Sequence, residues 1–254
     1  MNEQHLNFED SERYKRNILL ETGIEGQLKL LKSSVCVIGS GGLGSPNLLY
    51  LAAAGIGNIG IIDFDVVELS NLNRQIIHNT NDLGREKIIS ASEKIKLLNP
   101  KVKIDTFNIK MDCSNIRNII KNYDFIIEAT DNFEAKFVIN DGCVLEKKPF
   151  STAGVMEFIG QTMSVIPYQT GCFRCIFDSY SNKNDGKVWG ILGSVAGTIG
   201  TIQVTEAIKY LMGYGELLFN RLLTYNAKTM EFRKIEIERN PECPICSRAF
   251  SPSV

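Results

Sequence analysis

Short continuous apolar runs recur along the chain, and between them lie longer stretches whose apolar residues fall three to four apart. SSVCVIG (33–39) is too short for a helix and too continuous for a half-exposed strand, so it predicts a strand buried on both faces. SPNLLYLAAAG follows it and predicts a helix closed by Gly55. NIGIIDFD (58–65) predicts a second buried strand ending in acids. GREKIISASEKIKLLNP (84–100) has helical spacing and stops at Pro100. KVKIDTFNI (101–109) alternates as a half-buried strand does. NIRNIIKN predicts a short helix, YDFIIEAT (123–130) a buried strand, NFEAKFVINDGCVLEKK a helix, and PFSTAGV the start of another strand. This alternation predicts a doubly wound, mostly parallel α/β sheet of Rossmann type.

After about residue 155 the pattern changes. GQTMSVIP reads as a strand, and LGSVAGTIGTIQVTEAIKYLMG (192–213) as a long helix with small residues on one face. RLLTYNAKTMEFRKIEIER reads as two antiparallel strands around a turn at Asn226–Lys228. No linker, repeat or low-complexity tract divides the chain. The expectation is one domain, 1–254, with a nucleotide-binding half (1–155) and a second half (156–254) formed by an antiparallel extension folded onto it.

Composition narrows the classes. The chain has 254 residues, 44% hydrophobic and 22% charged, with a net charge of −1. No basic field invites nucleic acid, and no run of about 20 apolar residues predicts a membrane span. The polar N-terminus lacks the apolar core of a signal peptide, so a cytoplasmic location is expected. The two histidines, His5 and His78, lie in no nucleophile motif.

The turn after the first predicted strand, VIGSGGLGSPN, carries Gly39, Gly41, Gly42 and Gly44. A strand–glycine–helix turn aims backbone N–H groups and a helix N-terminus at an anion. Asp63 ends the next strand about 20 residues on, where an acid binds a ribose hydroxyl. To this point the pattern suits an NAD-dependent oxidoreductase. Asn71, Arg74 and Gln75 then follow in SNLNRQ, Lys87 opens the next helix, and Asp131 and Asn132 end the strand expected beside the first. Hydride transfer does not need two further cations at that edge; a triphosphate does.

Seven cysteines and no secretion signal argue against a disulfide framework. Cys172 and Cys175, and Cys243 and Cys246, form two C-x-x-C pairs that suit a four-thiolate zinc site. A redox dithiol or an iron–sulfur centre is the alternative. Cys36, Cys113 and Cys143 read as core or incidental thiols.

RYKRNILL, GSGGLGS, DFDVVELSNLNRQ, GREK, EATDN, the two cysteine pairs and GTIGTIQVTEAIK stand in an order that resembles the ThiF/MoeB/HesA group, bacterial relatives of the ubiquitin-activating enzymes. The resemblance runs from Arg13 to Cys246. It implies adenylation, with ATP and Mg2+, of the C-terminal glycine of a ubiquitin-like sulfur carrier in thiamin, molybdopterin or other sulfur metabolism. It implies that the glycine turn lines the nucleotide, that Asp63 holds the ribose, that Asn71, Arg74 and Lys87 contact the phosphates, with Arg74 and Lys87 catalytic together with Asp131 and Arg16, and that Ser70, Gln75 and Asn132 also belong to the nucleotide site. It implies that Asp131 holds Mg2+ and that Arg16 enters the neighbouring subunit's site in a homodimer. Residues 175–190 correspond to a loop covering the carrier's tail. Some members carry a nucleophilic cysteine there, and this chain has none between Ile176 and Gly190. Ser194 replaces a family proline. With no appended sulfurtransferase domain by Val254, sulfur is expected from a separate sulfurtransferase or cysteine desulfurase.

Overall fold

The computed structural model describes residues 6–177 and 189–247. Three helices that the apolar pattern does not announce come first: α1 (Phe8–Arg13), α2 (Lys15–Ile18) and α3 (Gly23–Lys32). α1 starts where the Asn7 side chain accepts from the Asp10 N–H at 2.9 Å, an ordinary N-cap. α2 is only four residues long and is held by tertiary contacts. Tyr14, fully buried beside it, accepts from Asn99 Nδ2 at 2.9 Å, and Asn17 donates to Gln27 Oε1 at 3.1 Å.

Strand and helix then alternate: β1 (Ser34–Ile38), α4 (Gly44–Ala54), β2 (Asn58–Ile62), α5 (Lys87–Leu98), β3 (Lys103–Phe107), α6 (Ile116–Ile120), β4 (Phe125–Glu128), α7 (Phe133–Leu145) and β5 (Phe150–Met156). β6 (Ile159–Val165), α8 (Phe173–Ile176), α9 (Gly193–Met212), β7 (Arg221–Asn226) and β8 (Glu231–Glu236) complete the described chain. One eight-stranded sheet has the order β3-β2-β1-β4-β5-β6-β7-β8. Its strands are parallel from β3 to β5 and antiparallel from β5 to β8.

The expected mostly parallel sheet with a C-terminal antiparallel extension is present, and the extension is continuous with the sheet. β6 pairs with β5 along its whole length, from Phe150↔Val165 to Met156↔Ile159, and so prolongs the same sheet. The inner parallel strands β1, β2 and β4 are buried on both faces, as their continuous apolar runs require, whereas the edge strand β3 is only partly covered, as its alternation predicts. Val35 and Val37 face a core shared with α4 and α9, while Cys36 and Ile38 face one shared with α6 and α7. β8, in contrast, is exposed throughout.

From β1 the chain winds outward through β2 to β3, then returns to β4 on the other side of β1. Strand order therefore reverses between β1 and β4, and a crevice opens at their carboxyl ends, where doubly wound folds bind ligands. Ile38 is in register with both Ile62 and Glu128. The segments that follow these residues, beginning at Gly39, Asp63 and Ala129, thus leave the sheet side by side.

Candidate functional site

The glycine turn occupies the crevice. Gly39 has φ +98°, and a Cβ there would stand 2.7 Å from the Ala129 carbonyl oxygen. A Cβ on Gly44 would stand 1.9 Å from the Gly39 carbonyl oxygen, so neither position admits a side chain. The Ser40 N–H and hydroxyl both donate to Asp63 Oδ2 at 2.8 Å, and the Asp65 N–H donates to Oδ1 at 3.0 Å. Asp63 thereby ties the turn to the end of β2 and keeps lone pairs in reserve. Among the described residues, the N–H groups of Gly41, Gly42 and Leu43 have no hydrogen-bond acceptor. Three free donors at the start of an 11-residue helix have the geometry to accept an anion.

The segment after β2 covers one flank. Asn71 is buried at the end of a 3-10 turn, where its Oδ1 accepts from the Glu68 N–H at 3.2 Å. Ser70 Oγ donates to Glu68 Oε2 at 3.3 Å. Arg74 Nη1 donates to the Ser70 carbonyl and to Asn73 Oδ1, both at 3.1 Å; no carboxylate among the described residues pairs with it. Gln75 is buried against Gly41, where a Cβ would lie 3.5 Å from Gln75 Nε2, and Gln75 Oε1 has no partner. Lys87 opens α5; its buried ammonium donates to Asp65 Oδ2 at 2.7 Å.

His78 supports the turn from behind. Its Nε2 faces the Ser40 carbonyl at 3.2 Å and its Nδ1 faces Ser90 Oγ at 2.8 Å. A carbonyl only accepts, so Nε2 carries the proton and Nδ1 accepts from Ser90. Burial pushes the imidazole below its usual value, and the Lys87 charge adds to that, so the ring is neutral near pH 7.

The other flank is the end of β4. Asp131 is exposed, and no partner for its carboxylate stands among the described residues. Asn132 is the N-cap of α7, accepting from the Ala135 N–H at 2.8 Å. Behind them Lys136 and Glu128 form a buried ion pair at 2.7 Å. The expected site residues from Gly39 to Asn132 thus gather at one edge of the sheet. Asp65, His78, Glu128 and Lys136 are additions. The signal for Glu128 was a lone acid inside an apolar strand, which must be paired.

Arg16 does not belong to that edge. Asn17 Nδ2 donates to the Ala54 carbonyl at 3.4 Å, and a Cβ on Gly55 would meet the Tyr14 ring at 2.5 Å. α2 therefore sits at the far end of α4, about 15 Å along the helix from the glycine turn. Arg16 is exposed, with no partner among the described residues. The expected tail-covering loop falls largely on 178–188, outside the described residues.

The four cysteines meet as their spacing predicts. Cys172 caps α8 and Cys175 ends its turn, while Cys243 and Cys246 lie in the turn after β8. Their sulfurs all lie within 4.8 Å of one another. The separations are 3.7 Å for Cys172–Cys243, 3.9 Å for Cys172–Cys175 and 3.4 Å for Cys175–Cys246. A zinc tetrahedron with Zn–S bonds of about 2.3 Å has edges of about 3.8 Å, so the cluster fits zinc. The Asn240 N–H points at Cys175 Sγ from 3.4 Å, an outer-shell contact typical of metal thiolates. Cys36 and Cys143 are core thiols, and burial pushes both well above the usual cysteine value. Cys113 is exposed. No helix among the described residues is long and apolar enough to cross a membrane.

Comparison with known proteins finds a match to the ThiF family model over residues 14–245. The adenylyltransferase and sulfurtransferase MOCS3 of Culex quinquefasciatus is 39% identical over 95% of this chain and 56% of its own length. The chain thus spans about half the length of that relative. The SAMP-activating enzyme E1 of Haloferax volcanii is 39% identical over 96% of this chain and 91% of its own length. A crystal structure of E. coli MccB with ATP superposes with a TM-score of 0.84 at 24% identity, covering 93% of this chain and 75% of that one.

Proposed function

Because the chain belongs to the ThiF family, we propose that it is an adenylyltransferase: it uses ATP to activate the C-terminal glycine carboxylate of a ubiquitin-like sulfur-carrier protein before thiocarboxylate formation. The observation that carries this reading is the convergence of free N–H donors, two cations and an unpaired carboxylate on one crevice, where a redox cofactor would need only the turn and Asp63. The names of the two relatives agree with it.

The chemistry of this reaction needs no general base. An oxygen of the carrier's carboxylate attacks the α-phosphorus of ATP, the bond to pyrophosphate breaks, and its electron pair leaves with the pyrophosphate. The nucleophile is already ionised and no proton moves, so His78 is free to be spent on structure. What the site must do is hold two anions in line and offset their charge. The N–H groups of Gly41, Gly42 and Leu43 take phosphate oxygens, and Asp63 accepts from the ribose hydroxyls. Ser70, Asn71, Arg74, Gln75, Lys87 and Asn132 surround the phosphates, with Lys87 released from Asp65 or shared with it. Asp131 offers the hard oxygen that Mg2+ prefers; the metal neutralises the triphosphate. The partner's Arg16 completes the site in a homodimer, since its own turn lies at the opposite end of α4.

Zinc at Cys172, Cys175, Cys243 and Cys246 is structural in this reading and anchors the carrier-binding half. In this reading sulfur comes from a separate donor protein in the cytoplasm, and the buried Cys36 and Cys143 take no part in the transfer. ATP–pyrophosphate exchange tests the proposal. Exchange that requires the carrier supports it; absence of exchange with a folded, zinc-loaded protein and carrier refutes it.

A further inference from the structure

The exposed Asp131 is preceded by a residue that is gripped at every polar atom. The Thr130 N–H donates to Glu128 Oε1 at 2.7 Å and the Thr130 hydroxyl to the same oxygen at 2.5 Å. The Thr130 carbonyl accepts from Lys136 Nζ at 2.9 Å. Lys136 spends its other two protons on Glu128 Oε2 at 2.7 Å and the Ala153 carbonyl at 2.5 Å, so all three are used. Thr152 Oγ1 donates to Glu128 Oε2 at 2.6 Å, and Gln203 of α9 holds the Glu128 carbonyl at 2.8 Å. Lys136 is 7% exposed and Glu128 1%. One buried ammonium therefore ties together α7, the end of β4 and β5, and the turn leading to Asp131.

Stability does not account for this arrangement. Desolvating two charges is costly, and an apolar pair of similar size is often as stable or more so. What an apolar pair could not do is fix the carbonyl, the amide and the hydroxyl of Thr130 at once. We propose that Lys136 and Glu128 are positioning residues that lock the Thr130–Asp131 turn so that the Asp131 carboxylate is presented to the metal–nucleotide complex. The proposal rests on the reading of Asp131 as the metal-binding acid. It extends to a carboxylate the general behaviour of metal sites, whose outer-shell partners fix the orientation of the ligand.

The test measures Mn2+ affinity, by electron paramagnetic resonance, of the dimer saturated with α,β-methylene-ATP and carrier. Lys136→Met should weaken Mn2+ binding about 10–100-fold, the usual loss for an outer-shell partner. Lys136→Arg, which keeps the charge and its donors, should stay near wild type. Asp131→Asn is the control for the underlying reading. Lys136→Met leaves Glu128 buried and unpaired, so it is accompanied by the double variant Glu128→Leu/Lys136→Met, which removes both charges. The double variant should fold and still bind Mn2+ weakly. A merely structural pair would change Tm but not Mn2+ affinity. Wild-type affinity in either folded variant, with Asp131→Asn weakened, overturns the positioning role alone. Unchanged affinity in Asp131→Asn overturns the metal-ligand reading and the proposal together.

Discussion

The glycine turn and the four-cysteine cluster are both built from segments distant in sequence, yet they spend their polar groups in opposite ways. In the crevice the donors of Gly41 to Leu43, the Asp131 carboxylate and Gln75 Oε1 stand without protein partners among the described residues. In the cluster every sulfur faces other sulfurs, and three of the four cysteines are fully buried. A site that turns over must leave groups free for what enters and leaves; a site that holds one ion permanently closes around it. α7 joins the two regions. Its N-terminus caps on Asn132, and farther along Asn140 accepts from the Phe173 N–H at 2.9 Å while Asp141 pairs with Arg174 at 2.6 Å.

If the contrast holds, damage at one region should not look like damage at the other. Asp131→Ala should reduce adenylate formation by about 100-fold or more, the loss expected when a preorganised charge is removed, with Tm unchanged. Comparable activity, or a large fall in Tm, would break the distinction. Cys172→Ser or Cys246→Ser should lose the bound zinc and show a lower Tm. A loss of about 4 kcal/mol corresponds to roughly 8–16 °C for a chain of this size. Metal analysis by plasma mass spectrometry checks the first part and calorimetry the second. Iron with visible absorbance in place of zinc would assign the cluster to redox chemistry.

Much of this contrast was legible beforehand because it depends on local patterns. Buried parallel strands read as continuous apolar runs, so SSVCVIG and YDFIIEAT declare β1 and β4. The turn, the acid after β2 and the paired C-x-x-C spacing are equally local. What escaped depends on which segments meet. α2 is too short to show a period and exists because Tyr14 and Asn17 find Asn99 and Gln27. Lys87 finds Asp65 only because the chain returns to pair Val66 with Glu86. Glu128 advertised a buried charge, but nothing in the pattern singled out Lys136 as its partner. Nor could any strand alone reveal that β6 would pair with β5 and extend the sheet.

Two further experiments sharpen the account of the open site. If the chain forms the proposed homodimer, the Arg16→Ala and Asp131→Ala proteins should each be nearly inactive. Mixing them with subunit exchange should restore about a quarter of wild-type activity, because half of the dimers are mixed and each of those has one intact site. No restoration despite exchange would return Arg16 to its own chain. The smallest expected effect is at His78. Nitrogen NMR at pH 7 should show a neutral ring protonated at Nε2. Its folded-state pKa is lowered, so the unfolded chain binds the extra proton first, and this contribution to stability is full above about pH 6.5 and lost as pH falls. A charged ring at pH 7, or the Nδ1–H form, would contradict the tautomer drawn from Ser40.

The most direct test of the central claim is whether the label of α-phosphorus-labelled ATP reaches the carrier. The wild-type protein with Mg2+ should place one AMP on a carrier ending in a free glycine carboxylate and none on the same carrier ending in an amide. Pyrophosphate should be released in equal amount. Label on the amidated carrier, or on neither form while the folded protein still binds ATP, would contradict adenylation of the carrier's C-terminus.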